Sequence, residues 1–184
     1  YDSLKGFNFN KIHTHCQCLI NQGVFMQLLK KVIHPHIESF DGKIFKRVSA
    51  RGVIEKNGKI LLMYTKRYND YTFPGGGVDS EEHLHEGLKR ELLEETGAVD
   101  VKILKEIGFI EDFRPHPKED FDLIQEFSYF YLCKVETFSE VQLEDYEIKN
   151  GMEHVWIDIN EAIAHNKKVI EEKTQSLGLS IVRE

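Results

Sequence analysis

The chain has 184 residues, of which 41% are hydrophobic and 30% are charged, a composition typical of a globular protein with a buried core. Its net charge is −7 and it has no long basic run, which argues against a protein that coats nucleic acid. Three cysteines argue against a disulfide framework, and no apolar stretch reaches the length of a membrane helix, so we expect a cytoplasmic protein that does not bind membranes.

Residues 1–40 differ in pattern from the rest of the chain, and we predict that they form an N-terminal extension. Residues 1–25 have a mixed composition, whereas Met26 opens a more regular stretch. The extension could pair two copies of the chain into a homodimer. Its histidines and cysteines are an alternative metal site, but their spacing matches no standard zinc pattern, so incidental placement is favoured. These residues are His13, His15, Cys16 and Cys18.

Residues 47–67 predict two strands joined at Lys56-Asn57-Gly58, because Asn-Gly between two apolar runs is a strong hairpin signal. A short strand at residues 71–73 precedes Pro74 and three glycines.

The pattern then becomes helical from about Ser80, which can cap the helix, as can Asp79. Acidic residues follow in the predicted first turn, where they favour the positive end of the helix dipole. Gly97 is placed to end the helix. We therefore predict a helix from about residue 80 to residue 96.

The remaining chain predicts three strands and a closing helix. Residues 99–113 and 123–136 are rich in β-branched and aromatic residues on either side of a charged loop. Residues 153–159 predict a further strand, and residues 160–174 an amphipathic helix. The expected fold is a mixed sheet packed against helices, of α/β or α+β class, in one domain over residues 41–184.

Three glutamates of the predicted helix indicate a metal site. Each helical residue turns by about 100°, so Glu91, Glu94 and Glu95 lie on one side, where like charges repel. Converging carboxylates suit Mg²⁺, with Mn²⁺ as an alternative ion, and the cation relieves the repulsion. The glycines before the helix allow backbone groups to approach metal or phosphate, and Arg90 can hold a neighbouring carboxylate in place.

From Gly76 to Ala98 the sequence resembles the Nudix box, Gly-x5-Glu-x7-Arg-Glu-U-x-Glu-Glu-x-Gly-U, in which U is a bulky aliphatic residue. Every defined position matches except the last, where Ala98 is smaller than usual. The flanking pattern is similar as well, with a hairpin before the box and a strand containing Trp156 after it. The resemblance covers about residues 45–170.

The resemblance implies a Nudix-type α/β/α sandwich with a mixed β-sheet. It also implies Mg²⁺-dependent hydrolysis of a phosphoanhydride bond in a nucleoside diphosphate linked to another moiety. Carried over by position, the box residues divide into metal ligands, a residue that helps to activate water, and residues that orient the loop and helix. The ligands are Glu91, Glu94, Glu95 and the carbonyl of Gly76. Glu91 also helps to activate water. Arg90 and Glu82 are the orienting residues.

A further acid outside the box often acts as base or extra ligand in this family, and Glu147 is our candidate. A surface charge is an equal explanation for Glu147. Arginines on the flanking strands could bind substrate phosphates, although solvated strand ends are the favoured explanation. The competing acids are Glu144, Glu153, Asp112 and Glu119, and the arginines are Arg51, Arg67 and Arg114. Alternation of Phe127, Tyr129 and Tyr131 indicates core packing rather than a base-stacking site.

The sequence leaves the substrate within its class open. The proline and tyrosine that mark ADP-ribose and dinucleoside polyphosphate hydrolases are both missing at the expected distance after the box. One alternative is a Nudix-fold module that senses a nucleotide without turnover, which the intact Arg-Glu-x-x-Glu-Glu core disfavours. Another is an isomerase, for which Cys133 in an apolar strand is a poor catalytic residue. We therefore expect a small nucleotide-type molecule as the substrate.

Overall fold

The computed structural model describes residues 26–35, 37–116 and 120–172, which contain nine strands and three helices. The elements in chain order are β1 (Leu28–Ile33), β2 (Ile44–Lys56), β3 (Lys59–Thr65), β4 (Asp70–Thr72), α1 (Leu84–Thr96), β5 (Ala98–Val99), β6 (Lys102–Pro115), β7 (Leu123–Lys134), β8 (Thr137–Phe138), α2 (Asp145–Asn150), β9 (Met152–Ile157) and α3 (Ile159–Glu172).

The main sheet has the strand order β1-β6-β7-β2-β3-β4, with β9 also paired to β3. The pairs β1–β6 and β2–β7 are parallel, and the other pairs in this sheet are antiparallel. Strands β5 and β8 form a separate antiparallel pair. A mixed sheet with few helices confirms the predicted α+β class.

The predicted hairpin between β2 and β3 is confirmed. Lys56 pairs with Lys59, and the two residues between them have positive φ, 56° at Asn57 and 75° at Gly58. A two-residue turn of this kind matches the right-handed twist of the strands. The strands predicted in residues 71–73, 99–113, 123–136 and 153–159 and the closing helix are also present, although β1, β8 and α2 were not predicted. Residues 173–174 of the closing helix lie outside the described residues.

Helix α1 begins later than predicted, and the caps at Asp79 and Ser80 are wrong. The helix starts at Leu84, and the side chain of His83 accepts a hydrogen bond from the backbone N–H of His85. The cause is Glu82, whose carboxylate bonds to Arg90. Residues eight apart in one helix would be about 12 Å apart along its axis, so the chain before Leu84 must turn back to make this contact. The predicted end is confirmed, since Gly97 has a φ of 73°.

The apolar face of α1 packs on the sheet. Leu88 and Leu92 are fully buried in one cluster with Ala50 and Ile54 of β2. Gly52 of β2 lies directly under this helix, because a Cβ there would come within 2.9 Å of the Leu92 side chain. This close packing fixes α1 against β2, the strand to which the glycine loop is also hydrogen-bonded.

Strand β1 falls within the predicted extension of residues 1–40 and pairs with β6 at the edge of the main sheet. The boundary at residue 40 stays a prediction. Residues 1–25, with His13, His15, Cys16 and Cys18, lie outside the described residues. No helix in the described part of the chain combines the length and the apolar character needed to cross a membrane.

Candidate active site

The glycine loop of residues 74–78 lies along the edge of β2. Three backbone hydrogen bonds hold it there, from Gly52 N–H to the Pro74 carbonyl, from Ala50 N–H to the Gly76 carbonyl and from Val78 N–H to the Val48 carbonyl, with N···O distances of 2.9–3.0 Å. These hydrogen bonds to β2 fix the positions of the glycines' backbone groups.

Gly75 can only be glycine at this position. Its φ is 124°, and a Cβ would lie 2.1 Å from the carbonyl oxygen of Ala50. Left-handed φ values and close backbone contact both select glycine. The loop therefore approaches β2 more closely than any side chain would allow.

Arg90 connects the loop to α1. Its guanidinium donates to both carboxylate oxygens of Glu82 at 3.0–3.1 Å, to Glu91 at 2.7 Å and to the carbonyl of Gly77 at 3.0 Å. The hydrogen bond from Arg90 lowers the pKa of Glu82, and the same bond raises the pKa of Arg90. Arg90 thus links Glu82, Glu91 and the glycine loop through one guanidinium.

The carboxylate of Glu91 lies against the backbone of Gly76. A Cβ on Gly76 would be 2.3 Å from Glu91 Oε2, so only glycine leaves room for the carboxylate. Burial raises the pKa of Glu91, a nearby Glu94 adds to the rise, and the bond from Arg90 opposes it. A raised pKa means that the carboxylate would gain from a nearby cation.

Glu95 is 5% exposed and its Oε2 accepts a hydrogen bond of 2.6 Å from the backbone N–H of Gly75. Burial raises the pKa of Glu95 to about 8, while Arg51 and the Gly75 N–H oppose the rise and Glu147 and Glu91 add to it. A buried carboxylate with such a pKa is a common feature of functional sites.

Arg51 is placed differently from the solvated strand end that the sequence favoured, and that explanation is wrong. Its Nη1 donates to the carbonyls of Gly75 and Phe73, the latter at 3.3 Å. Its positive charge also lowers the pKa of Glu91 and of Glu95. Arg51 therefore holds the glycine loop from the β2 side and partly offsets the charge of the two carboxylates.

Glu94 is the most exposed of the three helix glutamates, at 34% of its side chain, and its closest charged contact is with Arg90 at 3.4 Å. Each of the three carboxylates is held by a different combination of protein groups. Accordingly, residues 26–35, 37–116 and 120–172 contain no set of three or more His, Cys, Asp or Glu side chains already arranged to hold a metal ion.

The donor types nevertheless fit Mg²⁺ or Mn²⁺. The cradle that Gly76 leaves for the Glu91 carboxylate and the buried oxygen of Glu95 on the adjacent glycine bring hard oxygen donors to the same loop. Both carboxyls have a pKa raised by burial, which a bound divalent cation would reverse. These residues would hold the ion together with Glu94, whose side chain is 34% exposed and pairs with Arg90.

Glu147 is buried, at 3% exposure, so the surface-charge explanation is wrong. Its Oε2 accepts a hydrogen bond of 2.8 Å from the backbone N–H of Glu144, and its Oε1 accepts one of 3.1 Å from the hydroxyl of Tyr146. The first bond is part of a capping box at the start of α2. The charge of Glu147 also raises the pKa of Glu95.

Among the competing acids and arginines, Asp112, Arg114 and Arg67 have other partners. Arg114 is buried and donates to both Asp112 and Glu126, the latter at 2.5 Å, so it too is no solvated strand end. Glu119 lies outside the described residues, and Arg67 is exposed and donates to Asn150 at 3.1 Å.

The strand residues that the sequence assigned to the core are buried there. Tyr129 and Tyr131 belong to the main core cluster, and Phe127 packs against it, which confirms the alternation. Cys133 is buried without a disulfide, and burial raises the pKa of its thiol to about 12. A thiol with such a pKa is a poor nucleophile at neutral pH, as the sequence argument against an isomerase requires.

One arginine near the loop was missed by the sequence argument. The guanidinium of Arg47 lies beside Gly77, with Nη2 at 3.3 Å from the position that a Cβ of Gly77 would occupy. The alternation of β2 places Arg47 and Arg51 on the same face, four residues apart, and this is the signal that could have identified it.

Comparison with known proteins gives one family. A family model described as NUDIX domain matches residues 45–176. No curated protein matches the chain.

Similar solved structures include three bacterial proteins. A MutT NUDIX hydrolase from Burkholderia pseudomallei is 22% identical with a TM-score of 0.45, and the match covers 63% of this chain and 85% of that one. A NUDIX hydrolase from Nitrosomonas europaea is 19% identical with a TM-score of 0.49, covering 76% and 97%. The E. coli ORF135 protein is 21% identical with a TM-score of 0.44, covering 66% and 79%.

Proposed function

The chain belongs to the NUDIX family and is a Nudix hydrolase, and on that premise we propose that it hydrolyses a phosphoanhydride bond with Mg²⁺ as cofactor. The substrate is a nucleoside diphosphate linked to another moiety. Mn²⁺ can take the place of Mg²⁺, since both prefer oxygen ligands. The substrate is a small molecule rather than a nucleic acid, in keeping with the net charge of −7.

The contact between α1 and the glycine loop is the observation that carries this proposal. Glu91 occupies the space beside Gly76, and Glu95 is buried on the N–H of Gly75. A structural role alone would not favour two carboxyls with raised pKa on adjacent glycines, because burying each charge is unfavourable. A bound cation would offset this unfavourable burial for both carboxyls.

Each residue has a separate role in the proposed reaction. The carboxylates of Glu91, Glu94 and Glu95 would bind the cation, together with the second lone pair of the Gly76 carbonyl, whose first accepts from Ala50 N–H. Arg90 would keep the loop and helix in register. A bound divalent cation supplies polarisation of the phosphoryl oxygens and a lowered pKa of the attacking water.

Two carboxyls are candidates for accepting the proton of that water. Glu91 lies among the proposed ligands, and Glu147 lies outside the box, is buried, and acts electrostatically on Glu95. We assign Glu147 as the base, while its bonds to Glu144 and Tyr146 keep its carboxylate in one orientation. A general base contributes about 10²–10⁴-fold to a rate.

The test is a screen of nucleoside diphosphate derivatives with Mg²⁺, in which phosphate-containing products are measured. We expect at least one substrate to be cleaved, and we expect the Glu94→Gln variant to lose turnover while its thermal unfolding stays close to that of the wild type. Near-normal rates in Glu94→Gln would contradict the ligand assignment. Nucleotide binding without cleavage would favour the alternative, a nucleotide-sensing module.

Two further parts of the proposal concern the protein's setting. We propose a cytoplasmic location, which a Cys133 thiol outside any disulfide supports. Formation of a homodimer through residues 1–40 stays a prediction. Sedimentation of the full chain would test the dimer, and sedimentation of a chain starting at Met26 would test the part of residues 1–25 in it.

A further inference from the structure

Three arginines already donate to partners within the protein. They are Arg51, Arg90 and Arg114, which bind backbone carbonyls or buried carboxylates as described above. Their guanidinium groups hold the loop, the helix or the sheet in place. A substrate with two phosphates would need positive charge from another residue or from the cation, since the chain is acidic overall.

Arg47 differs from these three arginines. Its side chain is 47% exposed, and its Nε lies 4.0 Å from Glu126, which is longer than a hydrogen bond. Within the described residues this is its one ion pair. The guanidinium therefore keeps donors that can reach a bound anion.

The position of Arg47 is set by the residues around it. Gly77 has no side chain, which leaves space for the guanidinium beside the loop. Glu126 is 2% exposed and is itself held by Arg114 at 2.5 Å, so the carboxylate nearest to Arg47 cannot move far. The Arg47 guanidinium is thereby placed beside the loop with 47% of its side chain exposed.

We propose that Arg47 binds a phosphate group of the substrate at the Gly77 end of the glycine loop. The Glu91 carboxylate occupies the neighbouring residue of the same loop, at Gly76. Arg47 lies four residues along the same face of β2 from Arg51, whose guanidinium donates to the Gly75 carbonyl of this loop. A phosphate chain that extends from the proposed metal ligands along this face of β2 would come to Arg47. The planar guanidinium can donate two parallel hydrogen bonds to one phosphate. This inference rests on the proposed function for the identity of the ligand.

The chain offers a matched control in Lys46. It precedes Arg47 on β2, and successive side chains of a strand point to opposite faces, so Lys46 lies on the other side of the sheet. Replacing either residue by methionine removes one positive charge and keeps an unbranched side chain. The two variants therefore differ in the location of the lost charge and not in its amount.

The experiment measures binding of imidodiphosphate, a diphosphate that is not hydrolysed, by calorimetry of the full chain with Mg²⁺. Arg47→Met should weaken binding by about 10- to 100-fold, the usual range for hydrogen bonds to a charged group. Lys46→Met should bind within about twofold of the wild type, because Lys46 points to the other face of the sheet. Arg47→Lys should fall between the two, since it keeps the charge without the fork.

Circular dichroism checks that both variants are folded, which we expect because Arg47 is half exposed. An equal effect of the two methionine variants, or no binding by the wild type, would overturn the proposal. With a substrate from the screen, Arg47→Met should raise KM by at least about 10-fold and change kcat little, because the contact is made before and during the reaction. Calorimetry needs no turnover, so a failure of the proposed function would leave the binding result interpretable.

Discussion

Replacing Glu95 by glutamine should change how the stability of the metal-free protein depends on pH. Burial raises the pKa of Glu95 to about 8 in the folded chain, from a usual value of 4.5. A raised carboxyl contributes stability that is fully present below the unfolded pKa and is lost as the pH rises through the folded pKa. The metal-free wild type should therefore lose stability between about pH 4.5 and pH 8.

The size of the effect follows from the two pKa values. One pH unit corresponds to 1.36 kcal/mol, so this group should cost the wild type about 2 kcal/mol between pH 6 and pH 8. Glutamine has nearly the same shape and does not titrate. Over this interval the free energy of unfolding of Glu95→Gln should therefore fall by about 2 kcal/mol less than that of the wild type.

Urea unfolding in the presence of a chelator, followed by the fluorescence of Trp156, measures this difference at pH 6, 7 and 8. Addition of Mg²⁺ at pH 8 should restore stability to the wild type more than to the variant, because the cation binds the ionised carboxylate. If the two proteins show parallel pH dependence in chelator, Glu95 does not carry the raised pKa and the reasoning is refuted.

Three other variants probe the loop, the base and the charge balance. Gly76→Ala should lower turnover by at least about 100-fold, because the new methyl group would meet the Glu91 carboxylate; unchanged Mn²⁺ affinity would contradict this. Arg51→Met should move the acid limb of the pH–rate profile to higher pH, since Arg51 lowers the pKa of Glu95, and Arg51→Lys should move it less. Glu147→Gln should reduce kcat by about 10²–10⁴-fold with a nearly unchanged melting temperature. A rate within a few-fold of wild type would exclude Glu147 as the base and leave it only its role in capping α2.

The sequence predicted the elements whose cause is local. Asn57 and Gly58 form the turn of the first hairpin because two adjacent residues there tolerate positive φ. Gly97 ends α1 for the same local reason. The alternation of Tyr129 and Tyr131 likewise identified the face of β7 that enters the core.

The features that the sequence missed depend on residues far apart in the chain. Strand β1 exists because it pairs with β6, about eighty positions later, which no local pattern indicates. The start of α1 depends on Glu82 reaching Arg90, so the capping signals at Asp79 and Ser80 were misleading.

The environment of each charged side chain was equally hard to predict. In the sequence Arg51 resembles a charged residue at a solvated strand end. In the structure two carbonyls of the folded loop accept hydrogen bonds from it. Glu147 is part of a short helix that the sequence did not predict, and its burial follows from that helix. Spacing can therefore identify the carboxylates of the site, but their partners follow from tertiary packing.

The central claim is that the acidic residues of α1 and the glycine loop bind a divalent cation. A crystal of the full chain soaked with Mn²⁺ tests it directly, because the anomalous signal locates the ion. The account predicts one or more peaks within about 2.5 Å of oxygens of Glu91, Glu94 or Glu95 and the carbonyl of Gly76. A peak elsewhere in the molecule, with these three carboxylates pointing apart and without metal, would contradict it.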